Sequence, residues 1–376
     1  MTSETEPTVT HIEGLELPPE DVAFVPEPRL PLALRLLYLV LGLGLFVVAL
    51  GLMKSGAAAL IPSLDGSVFT DNSWSTLGTG WLAACIVLSG SPVATSALTL
   101  LDGGAIDRAQ SFTMLAGSRL GAAFVVLVVG LVYAVRNLGT SGRRAPISIG
   151  ILSLTMTMVV YVPGALAGYL LLEGGTFDGL DVGTSPGIAS ATDTLFGWAV
   201  DLANEVFPGW VLFPLGLGAL LLGFRLIDAV MPAVGGHRLE EGSAAWYTRK
   251  WPMFLAGCGV CLLTLSVSVA LTVLVPLVAS GRLRRANTLP YIAGANITTL
   301  ADTLVAAILL GNQDAVRVVV AVTLPLIAWT LLLLGFAYPL LRRLCLGVAR
   351  RALQSRPHLA AFVAALFVVP VGLILV

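Results

Sequence analysis

The chain carries little charge and few of the side chains that usually perform chemistry. Charged residues make up 11% of its 376 residues, and three residues are histidines. The formal net charge is −1 and no basic stripe occurs, so we expect no nucleic-acid partner. The sequence shows no nucleophile–base pair and no nucleotide-binding loop, so we expect neither an enzyme nor a cofactor. What remains is apolar: 57% of residues are hydrophobic and the mean hydropathy is +0.92, which is typical of an integral membrane protein.

Cysteines are equally few. The chain has four, all in or beside apolar segments, and only Cys258 and Cys261 have the spacing of a metal or redox pair. No histidine or second cysteine pair lies near them in the sequence, so we interpret them as core packing.

Residues 1–30 differ from the rest of the chain. They are acidic and contain scattered prolines, and the first apolar run begins only near Pro31, so we expect no signal peptide. We predict a mostly disordered acidic tail over 1–30.

Two polar stretches of the sequence repeat each other. The first reads LSGSPVAT from Leu88 and the second reads LSVSVALT from Leu265, 177 positions later. Ten of the thirty positions from Leu88 to Gly117 are identical at that offset. Paired polar motifs in corresponding apolar segments indicate a transporter binding site. The matched polar side chains are Ser89 and Ser266, Ser91 and Ser268, and Thr95 and Thr272.

The same offset organises the whole chain. Apolar segments fall near 31–53, 77–101, 112–135, 146–172, 208–231, 252–279, 289–310, 318–341 and 358–375. The first four correspond to the next four, which predicts repeat 1 over 31–172, repeat 2 over 208–349 and an extra helix at 358–375. Between the repeats, 173–207 holds a Gly- and Asp-rich outer loop and an amphipathic helix that we expect at the membrane surface.

The distribution of positive charge predicts the topology. Lys and Arg cluster before the first apolar segment, after the third, in 225–250 and before the last, whereas 54–75 and 173–193 are poor in both. This places the N-terminus in the cytoplasm of a multi-pass cell-membrane protein. The crossing numbers then agree only if one segment in each half is re-entrant. Arg282, Arg284 and Arg285 favour 252–279 in the second half, and the repeat then predicts that 77–101 is a re-entrant hairpin from the opposite face. We therefore predict an all-α polytopic membrane fold built from two inverted repeats.

The polar motifs fall at the centres of these hairpins, near the bilayer midplane. Non-helical backbone at that depth must line a cavity or be buried in protein. Serine and threonine hydroxyls can bind a dehydrated cation or an oxyanion, and helix ends at a hairpin tip favour anions. The alternative is that the small residues only allow close helix packing.

Arg119 and Asp302 are two charges expected at membrane depth. A charge there is costly, so each needs a partner or a function. Our hypothesis is that Arg119 contacts an anion, while Asp302 lies near a cation or pairs with Arg119. A purely structural pair is the alternative.

These motifs resemble the sodium-dependent phosphate cotransporter family, the bacterial relatives of type II sodium/phosphate cotransporters. That family has two serine-rich hairpin motifs, each followed by a Gly-Ala-Asn-Ile-Gly-Thr-Thr-like stretch. Here the second stretch is GANITT from Gly294 to Thr299, whereas the first has become Gly117-Ser118-Arg119-Leu120. The family's hairpin glutamines are replaced by Ser89 and Ser266, so the chain resembles a divergent member of this family.

The resemblance implies symport of inorganic phosphate with sodium as the coupling ion. The substrate-binding candidates are Ser89, Ser91, Thr95, Arg119, Ser266, Ser268, Thr272 and Asn296. The sodium-ligand candidates are Thr298, Thr299 and Asp302. Another small anion, proton coupling, or a non-transporting accessory protein with a degenerate site are the alternatives. Besides these ligands and the lipid bilayer, a homo-oligomeric partner is left open.

Overall fold

In the computed structural model, the regular structure of the described residues is entirely helical. These residues are 31–64, 67–136, 144–180, 186–230, 249–264, 266–279 and 283–376, so the tail predicted over 1–30 lies outside them. A short 3-10 helix at Arg285–Asn287 precedes α12. The α-helices are α1 (Leu32–Leu64), α2 (Ser73–Val87), α3 (Ser91–Asp102), α4 (Arg108–Ala122), α5 (Phe124–Val135), α6 (Arg144–Glu173), α7 (Pro186–Val206), α8 (Gly209–Val230), α9 (Lys250–Thr264), α10 (Val267–Thr272), α11 (Leu274–Ala279), α12 (Thr288–Thr298), α13 (Ala301–Leu310), α14 (Gln313–Phe336), α15 (Tyr338–Ala352) and α16 (Arg356–Ile374).

Within the described residues, seven helical stretches are long and apolar enough to cross a membrane. Neither predicted hairpin segment is among them, because their helices have 15 residues or fewer. The all-α polytopic membrane fold is therefore confirmed. Seven crossings also agree with the charge distribution, although the orientation of the N-terminus stays a prediction. The candidate spans are Ala33–Pro62, Arg108–Val135, Arg144–Glu173, Gly209–Leu226, Arg285–Leu310, Gln313–Phe336 and Arg356–Ile374.

The first predicted hairpin consists of α2 and α3 with a non-helical break at Leu88–Gly90. Helix α2 runs parallel to α4, whereas α3 runs antiparallel to it, so α2 and α3 run in opposite directions. The start of α2 and the end of α3, which are the ends away from the break, therefore lie on the same side of the molecule. The contacts that set these directions are Thr76 with Thr113 and Trp81 with Gly121 for α2 and α4, and Ala97 with Ser111 and Gly90 with Ser118 for α3 and α4.

The second predicted hairpin has a corresponding break. Helix α9 ends at Thr264, and Ser266 caps α10 by accepting a hydrogen bond from the Val269 amide at 3.3 Å. Helix α9 runs parallel to α12, as α2 does to α4. The contacts are Cys258 with Gly294 and Cys261 with Thr298.

Glycines set the close packing of these helix pairs at positions related by the offset of 177. A Cβ added to any one of four glycines would lie 2.1 Å from a backbone carbonyl oxygen of the neighbouring helix. The two halves thus pack alike at the level of the backbone. The pairs are Gly80 with Met114 and Gly257 with Tyr291, and Gly117 with Leu77 and Gly294 with Phe254.

The two halves run in opposite directions. Asn312 follows the end of α13 and donates a hydrogen bond of 2.8 Å to Asp102, which ends α3. Arg108 begins α4 and lies 3.6 Å from Asp314 at the start of α14. The end of α13 and the start of α4 therefore lie on one side of the molecule. This direction supports the inverted repeat, which stays a prediction.

The predicted amphipathic helix is α7, which packs along α1. Phe196 lies against Gly44 and Val200 against Gly51. Both glycines lie well inside the apolar span of α1, so α7 reaches deeper than a surface helix requires. Its placement on the membrane surface stays a prediction that these contacts do not support.

Candidate functional site

The most buried charge of the described residues is Arg119, and it joins the two halves. Its side chain projects from α4 toward the junction of α12 and α13, and only 1% of it is exposed. One terminal nitrogen, Nη1, donates to the Thr299 hydroxyl at 3.0 Å, and Nη2 donates to the Thr303 hydroxyl. The guanidinium thus holds oxygens that lie 180 and 184 residues away in the sequence.

Asp302 completes this group, which we call the Arg119 cluster: Arg119, Thr299, Asp302 and Thr303. Its Oδ1 lies 3.6 Å from Arg119 Nη2, too long for a direct hydrogen bond. The Thr303 hydroxyl bridges them, because it accepts from Arg119 and donates to Asp302 Oδ1 at 3.0 Å. The Thr303 amide also donates to Oδ1 at 2.6 Å. Asp302 lies in the first turn of α13, where the helix dipole favours negative charge.

Two atoms of the Arg119 cluster have no hydrogen-bond partner among the described residues. They are Arg119 Nε, a donor, and Asp302 Oδ2, an acceptor, and both are buried. Leaving a buried polar atom unsatisfied costs about 1–3 kcal/mol, and more when the group is charged. Arg119 Nε is therefore a donor that an anionic oxygen could satisfy, and Asp302 Oδ2 is an acceptor that no described group uses.

The tip of the first hairpin lies beside this cluster. A Cβ at Gly90 would be 3.5 Å from Arg119 Nη1, so the backbone preceding α3 approaches the guanidinium closely. Gly90 occupies the N-cap of α3 and has no side chain to cap it. Pro92 has no N–H, but the amides of Ser91 and Val93 at the start of α3 and the guanidinium together make this place favourable for an anion.

The two hairpin breaks meet. The Ser268 hydroxyl donates to the Leu88 carbonyl at 3.4 Å, across the two halves. In the described part of the chain, Leu88 is also the one non-glycine residue with positive φ, at 58°. A left-handed leucine costs about 1–3 kcal/mol and marks places where surrounding structure or function holds the backbone.

The structure distributes the predicted residues over several environments. Ser91 and Thr95 are buried in α3, and Ser89 is half-buried in the break. The Ser266 side chain caps α10, and Thr272 donates to the Val269 carbonyl at 3.1 Å. Of the three predicted sodium ligands, Thr299 and Asp302 join the Arg119 cluster. Thr298 does not, because its hydroxyl donates to the Gly294 carbonyl of its own helix at 3.0 Å.

Asn296 binds α6 rather than Arg119. Its side-chain amide donates to the Thr157 hydroxyl at 3.1 Å, and its backbone carbonyl accepts from the Tyr161 hydroxyl at 2.8 Å. The sequence analysis did not single out Thr157 or Tyr161. Their signal is the spacing of Ser153, Thr157 and Tyr161, which places three polar side chains on one face of an apolar helix.

The oxygens of the Arg119 cluster suit a hard cation better than a soft transition metal. They are two hydroxyls and a carboxylate, which prefer hard cations. Among the described residues, no group of three His, Cys, Asp or Glu side chains could hold a metal ion.

Comparison with known proteins finds a family match in the second half of the chain. Residues 219–368 match a family model described as Na+/Pi-cotransporter. The match confirms the family resemblance. It includes Thr299, Asp302 and Thr303, whereas Arg119 and the first hairpin lie outside it, which fits a divergent member of the sodium/phosphate cotransporter family. No curated protein and no solved structure matches the chain. The family match and the apolar helices together support a membrane transporter.

Proposed function

We propose that this transporter is a symporter of inorganic phosphate and sodium, with its site between the Arg119 cluster and the two hairpin tips. The observation that carries the proposal is the buried Arg119 guanidinium, which lies beside the uncapped start of α3 and has Nε without a partner among the described residues. The family match supports phosphate and sodium as the ligands.

Phosphate binding is assigned to Arg119 and the first hairpin tip. A guanidinium presents donors in a geometry that suits phosphate oxygens. Helix α3 adds backbone amides and the positive end of its dipole. Ser91, in the first turn of α3, adds a hydroxyl that can donate to the same anion.

Sodium binding is assigned to the place where the tips meet. The Leu88 carbonyl and the Ser268 hydroxyl can serve as oxygen ligands. Leu88 directly follows the end of α2, and Ser268 lies in the first turn of α10. Unwound carbonyls near the midplane are typical sodium ligands in transporters. The half-buried hydroxyls of Ser89 and Ser266 lie in the same two breaks.

The energetics of import supports coupling to a cation. Each negative charge brought into a cell at about −100 mV costs about 2.3 kcal/mol, so divalent phosphate costs about 4.6 kcal/mol before any concentration gradient. Two positive charges that enter with phosphate cancel this electrical cost.

Uptake of labelled phosphate into proteoliposomes tests the proposal. We expect uptake under an inward sodium gradient and none under a matched potassium or choline gradient. Ser91→Ala and Ser268→Ala should each reduce the initial rate at least about tenfold. Ser91→Ala removes a hydrogen bond to the anion worth about 1.5–3 kcal/mol, and Ser268→Ala removes an oxygen ligand of sodium. Ser355→Ala, at the start of α16, serves as a control that should leave the rate unchanged.

Other outcomes of this experiment separate the alternatives. Uptake driven by a proton gradient alone would reject sodium coupling while retaining a transporter. Uptake of a different small anion, such as sulfate, would reject phosphate. No uptake of either anion under any gradient, in protein that elutes as a single folded species, would favour the non-transporting accessory protein.

A further inference from the structure

The Arg119 guanidinium contacts three oxygen-bearing side chains that would suit a metal cation. Its terminal nitrogens face the hydroxyls of Thr299 and Thr303 and the carboxylate of Asp302. Two hydroxyls and one carboxylate are the kind of ligands that a small hard cation takes. All three side chains are buried, so water competes little for the position.

We propose that Arg119 is a tethered cation that permanently takes the position of one sodium ion, so that the transporter binds one sodium fewer than its oxygen ligands would allow. The inference rests on the proposed function only in taking sodium as the cation. In this proposal Nη1 and Nη2 replace the ion, whereas Nε, which has no partner among the described residues, is left to donate to the anion. One residue thus supplies a fixed positive charge to the site.

The internal repeat supports this assignment. The counterpart of Arg119 at the offset of 177 is Asn296, a neutral residue, and the counterpart of Asp302 is Val125. The ion pair therefore occurs once, with the cation from one half and the carboxylate from the other. The Asn296 side chain does not need a carboxylate, because it is neutral and its amide donates to the Thr157 hydroxyl.

The chemistry of Asp302 makes the proposal testable. A buried carboxylate that loses its partner is strongly destabilised, and it must take up a proton or another cation. When a neutral residue replaces Arg119, the oxygens of Thr299, Asp302 and Thr303 remain in place. At alkaline pH, where protonation is disfavoured, sodium is the replacement that the ligand set favours.

The experiment counts bound sodium in purified, detergent-solubilised full-length protein by equilibrium dialysis with radioactive sodium at alkaline pH. Arg119→Gln and Arg119→Asn should each bind one sodium more than the wild type. Arg119→Lys is the matched control, because it keeps the positive charge and should bind the wild-type number. The added ion should be lost in Arg119→Gln/Asp302→Asn. Asp302→Asn alone should leave the wild-type number unchanged.

Three results would overturn the inference. The first is an unchanged sodium count in folded Arg119→Gln and Arg119→Asn. The second is a count that falls by one in Asp302→Asn, since Asp302 would then bind sodium beside Arg119 in the native protein. The third is that both neutral variants unfold equally in sodium and in choline, since sodium would then fail to replace the guanidinium. None of these results depends on phosphate, so they are distinct from a failure of phosphate uptake.

Discussion

Replacing Arg119 with alanine is expected to reduce sodium-driven phosphate uptake at low phosphate concentration by about 10- to 100-fold. The anion loses a charge-assisted hydrogen bond worth about 1.5–3 kcal/mol, and a factor of ten in rate corresponds to about 1.4 kcal/mol. A sodium ion that enters the vacated position can neutralise Asp302, but it donates no hydrogen bond. Initial rates in proteoliposomes at several phosphate concentrations measure the effect, which should appear mainly at concentrations below saturation.

A double variant separates the two roles of Arg119. If the residue binds phosphate, uptake in Arg119→Ala/Asp302→Ala should stay as low as in Arg119→Ala, even when removing both charges restores stability. If the pair is purely structural, the double variant should recover both stability and uptake, which would reject the ligand role. Arg350→Ala is the control, because Arg350 is exposed on α15 and should leave uptake unchanged.

Substituting alanine for Gly117 or Gly294 is expected to prevent close packing of α4 on α2 or of α12 on α9. The added Cβ would lie 2.1 Å from the carbonyl oxygen of Leu77 or Phe254, and backbone cannot move aside as a flexible side chain can. Overpacking typically costs about 1–3 kcal/mol, and a contact this short places the cost at about 3 kcal/mol or above. The thermal unfolding midpoint should fall by about 5 °C or more, or the protein should fail to elute as a single species.

The control for the glycine variants is Gly335→Ala in α14. Apart from its chain neighbours and the nearby backbone of its own helix, no described atom lies within 4 Å of the position that a Cβ would take at Gly335. Since alanine is a better helix former than glycine, we expect an unchanged or slightly higher unfolding midpoint. Equal destabilisation in all three variants would contradict the packing argument, because it would show that the methyl group acts through the helix itself.

The sequence was sufficient to predict the large-scale organisation. Length and hydropathy locate the crossing helices, and the offset of 177 aligns glycines that make equivalent contacts in the structure. The motif centre at Ser89 falls in the break between α2 and α3. Arg119 and Asp302 were singled out because charges at membrane depth need partners, and the structure brings them to 3.6 Å.

The hydrogen-bond partners of several site residues could not be predicted from the types and positions of the side chains alone. Thr298 was a sodium-ligand candidate by its position in a motif, but a threonine in a helix can donate to its own backbone, and it does so here. The Leu88 carbonyl was not predicted because backbone groups carry no residue-specific signal. Thr157 and Tyr161 share one face of a largely apolar helix with Ser153, but the spacing alone does not show that this face binds Asn296.

The glycine contacts also determine which parts of the molecule can be displaced against one another. Where backbone touches backbone, helices cannot slide past one another without a steric clash, so α2 with α4 and α9 with α12 each form a rigid helix pair. The two pairs contact each other through the Ser268 hydroxyl and the Leu88 carbonyl, in a hydrogen bond of 3.4 Å that is long and easily broken. If transport separates the tips, neither helix pair needs to repack. Selection for faster turnover would then act on the residues between the pairs, while the glycines inside them stay fixed.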